Sequence, residues 1–566
     1  MSWYRCAQLA TASALACAVL LAIGQTLKSY TSAVGVLFIF GMSGFAVFFF
    51  SAVLHPLFLS PLRKLPRNNS WWFQLLKSRL VSKVQPSNFL LHVANTTRHE
   101  GLIALREICG YSILLCDAHS LKDVLFTHPD DFQKSPSLRA LLGFIAQKGL
   151  FFVEGGEHKD LRKKSLPLFS YRVIQELYPV MWEHAVRLCQ NMERALAVRD
   201  DKAQKSPIDF EPFAQTASIA IIASTVFGRD VPVEDDPTFQ DMMHHIRGFL
   251  EPSGRVVTVM AAAFLAPLSV IRLILPRATK EFMTHSESSL NRALEMVRWR
   301  RAASGRTTSS EHAPERTPQT NLLDAMIMAN NLPDEKMAAQ LITYMLAGNE
   351  TTSATATWAV GMLALHPECQ RLLRSEVTDA LRPMIERGVM EISSLGPMLE
   401  RLPYLNGVVN EALRLYPTIP LTSRTAVRDT HILGQFVPKG TTLYISPWQR
   451  QRDPKVWGAD AEIFRPERWI LDETGPDGLR RINQGHNLYD LITFIHGPKN
   501  CIGQRFAKAG LRCLLAAVVF HFQWTTDARE LPSGYGVITL RPAGGMPLRF
   551  QKIRKSECDI SGNCPV

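Results

Sequence analysis

The segment that decides the fold is Phe494-Ile495-His496-Gly497-Pro498-Lys499-Asn500-Cys501-Ile502-Gly503-Gln504-Arg505-Phe506-Ala507. It places one cysteine between glycines, directly before an apolar stretch that predicts a helix to about Val519. Glycine lets the backbone turn tightly around the sulfur, while nearby amides, the helix N-terminus and the cations Lys499 and Arg505 favour a thiolate. An isolated cysteine before a helix is usually inert packing, but a thiolate held in this way suits haem iron as a single axial ligand.

The spacing Phe-x-x-Gly-x-x-x-Cys-x-Gly, from Phe494 to Gly503, resembles the haem-binding signature of the cytochrome P450 family. The resemblance implies haem (iron protoporphyrin IX) as the cofactor and Cys501 as its proximal ligand, within a loop shaped by Phe494, Gly497 and Gly503. Lys499 stands where the family usually has arginine, so the positive charge is kept and the fork-shaped guanidinium is lost. One expected contact to a haem propionate is weakened by this change.

Glu411 and Arg414 are three residues apart, so a helix brings them to one face, where they can pair. Such pairs usually lie on solvated surfaces. The resemblance implies instead a buried charge cluster, to which Arg468 in Pro-Glu-Arg-Trp adds a second arginine. Because removing one member of a buried cluster is costly, the sequence predicts that Glu411→Ala abolishes stable haem incorporation.

A third motif, Ala347-Gly348-Asn349-Glu350-Thr351-Thr352, lies in an apolar run that predicts a helix from about Met337 to Leu365. Glycine and paired threonines lower helix propensity and favour a local widening or kink of the helix. By itself the run is typical of a core helix packed through small residues. The resemblance implies the family's long distal helix, whose acid and alcohol deliver protons during dioxygen activation, with Thr351 toward the haem and Glu350 toward a water chain.

A weaker match, Gly155-Gly156-Glu157-His158-Lys159-Asp160-Leu161-Arg162, is similar to the family's propionate-binding helix. His158 occupies a place often held by tryptophan, which makes Arg162 the preferred propionate partner, with Arg424 a second candidate. Both arginines are equally consistent with ordinary surface cations. Gln451 stands where the family usually has a histidine shortly before Asp-Pro, and the sequence alone predicts no consequence of this replacement.

The N-terminus predicts a membrane anchor. Residues 33–54 are uncharged and rich in phenylalanine, and at ~1.5 Å per residue they are long enough to cross a hydrocarbon core of ~30 Å. Residues 7–24 form either a second span or a signal-like segment. Arg63 and Lys64 follow the anchor, and positive charge beside a span marks the cytoplasmic side. Prolines such as Pro56 predict that the chain leaves the membrane through a stiff extended hinge.

The chain has 566 residues, of which 46% are hydrophobic and 20% charged, so a small binding module and a polytopic transporter are both excluded. The net charge of +12 gives no support for nucleic-acid binding beyond its sign. Helical patterns dominate the body, and strand-like runs cluster near its two ends. We therefore expect a mainly α fold with small β-sheets. The predicted divisions are residues 1–62 as membrane anchor, 63–550 as one haem-thiolate monooxygenase domain and 551–566 as a polar tail.

The function implied by the resemblance is a haem-thiolate monooxygenase that hydroxylates or epoxidises a lipophilic small molecule, in the style of fungal microsomal members that make secondary metabolites. Its electrons would come from NADPH through a membrane-bound reductase attracted by Lys499, Arg505 and Lys508, with the catalytic domain on the cytosolic side of the endoplasmic reticulum. Two alternatives remain at this point: a haem-thiolate isomerase or dehydratase that needs no dioxygen, and a non-catalytic haem sensor or electron carrier. The Glu350-Thr351 pair argues against both.

Overall fold

The computed structural model describes most of the chain. The described residues are 41–68, 86–107, 110–136, 139, 149–198, 206–228, 237–250, 253–262, 268–307, 321–386, 392–474, 480–482, 487–536 and 539–553. The predicted segment 7–24, the first part of the predicted span 33–54 and most of the predicted tail 551–566 lie outside these ranges.

Helices make up most of the described structure, as the sequence predicted. They are α1 (Gly41–Leu59), α2 (Pro86–Thr96), α3 (Ala118–Lys122), α4 (Gly155–Ser165), α5 (Tyr171–Ala197), α6 (Glu211–Phe227), α7 (Pro237–Leu250), α8 (Gly254–Ala262), α9 (Leu268–Ile274), α10 (Pro276–Thr307), α11 (Leu322–Ala329), α12 (Asp334–Leu365), α13 (Pro367–Glu386), α14 (Ile392–Arg401), α15 (Pro403–Leu415), α16 (Pro447–Arg450), α17 (Pro454–Trp457) and α18 (Gln504–His521). Short 3₁₀ or π-helical segments lie at Pro61–Lys64, Asp123–Thr127, Leu166–Phe169 and Pro466–Trp469.

The strands are short and form small sheets. They are β1 (Arg67–Asn68), β2 (Leu102–Glu107), β3 (Gly110–Leu115), β4 (Phe132–Lys134), β5 (Ile208–Asp209), β6 (Thr422–Ala426), β7 (Thr430–Ile432), β8 (Gln435–Val437), β9 (Thr442–Ile445), β10 (Ile470–Thr474), β11 (Arg480–Ile482), β12 (Phe522–Thr525), β13 (Gly534–Tyr535), β14 (Arg541–Pro542) and β15 (Pro547–Lys552). The largest sheet has the order β1-β2-β3-β9-β6-β4 and joins the two ends of the body. Strand β15 passes the predicted domain boundary at residue 550 because it pairs with β12 as far as Lys552.

The central helix of the fold is α12. It begins after Pro333 with Asp334 and Glu335 in its first turn, where acidic side chains stabilise the positive end of the helix dipole. It ends before Pro367, which starts α13. A helix that is buried on almost all sides belongs to a large core, and α12 packs against α6, α10, α15 and α18.

The predicted local widening of α12 does not occur, because the segment is α-helical throughout. Its small and hydroxylated residues act in another way. The hydroxyl of Ser218 on α6 donates to the carbonyl oxygens of Asn349 at 3.0 Å and Gly348 at 3.3 Å. A Cβ at Gly348 would lie 2.9 Å from Ile222, so the glycine permits the close approach of α6.

One described helix, Gly41–Leu59, is long and apolar enough to cross a membrane. The prediction that Pro56 ends the helix in an extended hinge is wrong, because a π-helical segment carries the chain through Pro56 to Leu59. In an α-helix the carbonyl of Ala52 would accept the N–H of residue 56, which proline lacks. The guanidinium of Arg106 on β2 donates to this carbonyl instead, and also to the carbonyl of Gly110 at 3.0 Å. The end of the helix is thereby fixed to the main sheet.

We expect Arg106→Gln to loosen the end of this helix. A hydrogen bond from a charged donor contributes roughly 1.5–3 kcal/mol, so amide exchange of residues 53–59 in nanodiscs should accelerate at least about tenfold. Hydrogen–deuterium exchange with mass spectrometry measures this change. The exposed Arg63, replaced by glutamine, is the control, and equal exchange in the two variants would contradict the proposed attachment.

Candidate active site

The cysteine loop closes on itself just before α18. The N–H of Cys501 donates to the carbonyl of Phe494 at 2.8 Å, and Ile495 and Gly497 have φ values of 56° and 81°. A Cβ at Gly497 would lie 2.0 Å from the carbonyl oxygen of Leu125. Only glycine fits this position, because it needs both a left-handed backbone and room for a neighbouring backbone.

The sulfur of Cys501 has a different set of neighbours from the predicted one. Cys501 is exposed, but the protein atoms packed around its sulfur raise the pKa of the thiol, while the backbone amide of Gly503 and the charge of Arg162 act to lower it. Lys499 pairs with Glu154 and Arg505 is exposed, whereas Arg162, which was not predicted to act on the sulfur, is the cation that lowers its pKa. A metal ion bound at the sulfur would deprotonate it outright, so the thiolate does not depend on them.

Arg162 holds the residue that precedes the cysteine. One nitrogen of its guanidinium donates to the backbone carbonyl of Asn500 at 2.7 Å, and a second donates to the side-chain oxygen of the same residue. Two parallel hydrogen bonds from a planar guanidinium fix orientation as well as distance. Arg162 is therefore not a plain surface cation, and its observed partner is the cysteine loop.

Lys499 belongs to a buried ionic group that includes two residues missed by the sequence analysis, Lys134 and Glu154. Glu154 accepts from the ammonium groups of Lys134 and Lys499, each at 3.1 Å, and from the backbone N–H of Lys134 at 2.9 Å. Burial alone would raise the pKa of Glu154, but the two lysines lower it to about 2. Burial and the neighbouring cations Arg424 and Lys499, opposed by Glu154, together lower the pKa of Lys134 to about 8.

Two predicted residues complete this group. Arg424 on β6 is directly opposite Lys134 on β4 in an antiparallel pair, and both are buried. His158 is also buried, and burial together with Lys134 lowers its pKa to about 4, so it is neutral near pH 7. Like charges directly opposite each other destabilise a sheet.

The cations in this group outnumber the carboxylates. The excess positive charge can be compared with the negative charge that the haem propionates would bring. Lys134, Lys499 and Arg424 lie around a single carboxylate, Glu154, in the described part of the chain, which leaves an excess of two positive charges. Buried charges need partners of opposite sign. The two propionates of a haem would supply them, so this group fits a dianionic cofactor next to the cysteine loop.

The face of α12 that carries the predicted acid and alcohol is accessible within an otherwise buried helix. Ala347 is exposed and Thr351, one turn later, is half-buried. The hydroxyl of Thr351 donates to the carbonyl of Ala347 at 2.7 Å. The carboxylate of Glu350 points to a different side and accepts from the hydroxyl of Thr539 at 3.0 Å. Helix α18 packs beside this region, with Gly510 close to Thr352.

The three predicted members of the charge cluster are brought together in the core. Glu411 and Arg414 are fully buried and form a bidentate pair at 2.7 and 2.8 Å, while Arg468 donates to Glu411 at 3.3 Å. The indole of Trp469 donates to the same carboxylate at 2.9 Å. Asp460 pairs with Arg468 at 3.2 Å and with the exposed Arg465 at 2.7 Å, so each of the two buried arginines has an acidic partner.

Gln451 has a definite role in the structure, which the sequence analysis did not find. Its amide nitrogen donates to the carbonyls of Leu413 at 3.0 Å and Arg414 at 2.8 Å, near the end of α15. Its amide oxygen accepts from the hydroxyl of Thr493 at 2.9 Å, directly before the cysteine loop. A fully buried glutamine therefore joins the charge cluster to the loop.

A mainly helical fold, a cysteine held alone in a tight loop and an adjacent surplus of buried cations together define a haem-thiolate protein. The family model described as Cytochrome P450 matches residues 66–545. The chain belongs to the cytochrome P450 family.

Several fungal proteins are similar to it over most of its length. Cytochrome P450 monooxygenase ptmK of Penicillium ochrochloron is 32% identical over 89% of this chain and 96% of its own length. Cytochrome P450 monooxygenase sphH of Aspergillus fumigatus is 29% identical over 88% of this chain and 90% of its own. Cytochrome P450 monooxygenase FUM15 of Gibberella moniliformis is 29% identical over 89% and 91%. The chain is accordingly an oxygen-incorporating oxidoreductase with a haem-thiolate cofactor, supplied with electrons from NADPH through a reductase as is standard for the family.

We expect Gly497→Ala to displace the cysteine loop from Leu125, since the new Cβ would lie 2.0 Å from a backbone oxygen. The purified variant should lose most of its haem, measured as absorbance at the Soret band per mole of protein. Gly440→Ala is a matched control, because Gly440 also has a positive φ, 86°, but faces open space. It should cost only about 1 kcal/mol and keep its haem. Equal haem content in both variants would contradict the packing argument.

We expect Glu411→Ala to destabilise the fold by roughly 3–5 kcal/mol, because it leaves Arg414 and Arg468 buried without their shared acceptor. Denaturant unfolding and haem content measure the loss. Glu368→Ala is the control, since Glu368 and Arg371 have the same three-residue spacing but are exposed. Breaking an exposed pair should cost less than about 1 kcal/mol. A haem-loaded Glu411→Ala protein of normal stability would disprove the role of the cluster.

Proposed function

We propose that Cys501 is the axial thiolate ligand of the haem, and that Lys134, Lys499 and Arg424 face its propionates. The surplus of buried cations beside the cysteine loop is the observation that carries this assignment. Arg162 would act mainly by holding the cysteine loop through Asn500. When bound, the haem supplies dioxygen activation and the insertion of oxygen into a C–H or C=C bond.

Thr351 and Glu350 are proposed to manage protons on the distal side. Thr351 lies on the accessible face of α12, and its hydroxyl hydrogen is directed to Ala347, so an outside group meets the oxygen as a hydrogen-bond acceptor. Glu350 lies about 100° around the helix and contacts Thr539. This arrangement supports an acid that draws protons from the side opposite the substrate. It favours a monooxygenase over an isomerase, a dehydratase or an electron carrier, which need no such pair.

The proposed redox partner is a membrane-bound, NADPH-dependent cytochrome P450 reductase. Of the three cations predicted to attract it, Arg505 is exposed on the first turn of α18. Lys499 is committed to Glu154, and Lys508 donates to Asn410 at 2.9 Å. An electrostatic contact with an acidic reductase surface therefore depends on Arg505 rather than on all three.

We place the protein on the endoplasmic reticulum membrane, with its catalytic domain facing the cytosol. The apolar helix Gly41–Leu59 and the cations Arg63 and Lys64 that follow it support this orientation. The proposed substrate is a lipophilic small molecule of fungal secondary metabolism, by analogy with the family members that the sequence resembles.

The first test is the carbon monoxide difference spectrum of the reduced, membrane-expressed protein. Wild type should show the Soret band of a thiolate-ligated haem, and Cys501→Ala should lose it. Cys369→Ala, at another partly accessible cysteine, should keep the band. With reductase, NADPH and dioxygen should be consumed together. Well-folded wild type without a haem signal would overturn the assignment, and haem without dioxygen consumption would favour the isomerase alternative.

A further inference from the structure

Glu350 is part of an ionic group that reaches beyond the central helix. Arg541 donates from Nε to Glu211 at 2.6 Å, and its NH1 lies 3.8 Å from the carboxylate of Glu350. One guanidinium is thus divided between acids on two different helices, α6 and α12. The contact with Glu211 is a charged hydrogen bond, whereas the contact with Glu350 is too long to be one.

The segment that carries Arg541 is fixed to the central helix independently of Glu350. The carbonyl of Leu540 accepts the indole N–H of Trp358 at 3.0 Å, and the N–H of Leu540 donates to the carbonyl of Thr418 at 2.8 Å. Both neighbours of Leu540, Thr539 and Arg541, contact Glu350. Because the backbone around Leu540 is fixed, the distances from Thr539 and Arg541 to Glu350 depend on how these side chains are oriented.

Glu211 depends on Arg541 for its charge. It is buried at the first turn of α6, where Gln215 also donates to it at 3.2 Å. Burial raises the pKa of Glu211 and nearby Asp209 adds to this, while Arg541 and Gln215 oppose it. Asp209 itself accepts from the backbone N–H groups of Glu211 and Met546.

We propose that Glu211 is a positioning residue for the reaction, which acts on Glu350 through Arg541 without contacting haem or substrate. By holding the guanidinium at 2.6 Å, Glu211 keeps Arg541 from closing its 3.8 Å gap to Glu350. Arg541 then has only a long ionic contact with Glu350 in place of a charged hydrogen bond, so the guanidinium does not fix that carboxylate beside Thr539 and away from Thr351. This inference rests on the proposed proton-transfer role of Glu350.

The physical consequence is a competition for one cation. Without the charge of Glu211, Glu350 is the remaining carboxylate among the described residues that forms an ionic contact with Arg541, and the guanidinium should pair with it fully. A fully paired, largely desolvated carboxylate turns less readily and gives up protons to a neighbour more slowly. Glu211 would therefore speed proton delivery from a distance.

The decisive variant is Glu211→Gln, which keeps the shape and removes the charge. In membranes with the reductase and no added substrate, we expect its NADPH oxidation to fall about three- to tenfold and the solvent deuterium isotope effect on that rate to rise. The carbon monoxide spectrum should be unchanged. Glu211→Asp keeps the charge on a shorter side chain, so its NADPH oxidation rate and isotope effect should lie between those of Glu211→Gln and wild type. If Glu211→Gln does not fold, Glu211→Asp is used in its place.

Glu462→Gln is the control, because it also removes the carboxylate partner of a buried arginine. Glu462 pairs with Arg452 at 3.0 Å, and this pair does not include Glu350. Its rate and isotope effect should match wild type. In a Glu350→Gln background, Glu211→Gln should change neither quantity further. An equal effect in that background would show a structural role and overturn the inference.

Unfolding stability gives a second readout that is independent of activity. Each single variant removes one of the two carboxylates that form ionic contacts with Arg541 in the described residues, whereas the double variant Glu211→Gln, Glu350→Gln removes both. The double variant should therefore be destabilised by more than the sum of the two single losses. If the losses of unfolding free energy are additive, the inference that Glu211 and Glu350 share the guanidinium is overturned. Wild type that consumes no NADPH would refute the proposed function instead, while active wild type with an equally active Glu211→Gln protein would refute this inference alone.

Discussion

The carboxylate of Glu411 is the interaction on which the rest of the structure depends. It accepts hydrogen bonds from Arg414, Arg468, Trp469 and the backbone N–H of Arg465, with no exposure to solvent. The same arginines donate to backbone carbonyls between Gln451 and Ile463. One buried acid therefore connects a core helix to residues 451–463 and 465–469.

This connection continues to the cysteine. Arg414 donates to the backbone carbonyl of Gln451, whose side chain returns two hydrogen bonds to the end of α15 and accepts one from Thr493. Phe494, the next residue, accepts from the N–H of Cys501. The position of the sulfur is therefore set by a continuous series of buried hydrogen bonds that starts at Glu411. A haem ligand needs such support, because the orientation of a metal ligand is fixed by the groups behind it.

The sequence was most informative where chemistry is encoded within a few residues. The cysteine loop and the Glu411-Arg414 pair depend on local spacing, and the helix Asp334–Leu365 on a long apolar run, so each could be predicted. Contacts between distant residues could not: Arg162 meets Asn500 across 338 positions, and Lys134 meets Arg424 only through strand pairing. Pro56 does not end the helix as predicted, because the backbone becomes π-helical there and Arg106 donates a hydrogen bond to the carbonyl of Ala52.

The two buried charge groups near the cysteine, around Glu411 and around Glu154, differ in net charge. We infer that the first serves folding and the second serves cofactor binding. Glu411 and Asp460 match the two buried arginines, Arg414 and Arg468, and the further partner of Asp460, Arg465, is exposed to solvent, so the buried part of that group is neutral within the protein. The group around Glu154 has an excess of cations and reaches neutrality only with an external dianion. Because a ligand that binds only the folded state stabilises it, haem should stabilise the sheet around β4 and β6 more than the core around α15. The fold can form first, and the cofactor then completes the part of the structure that it occupies.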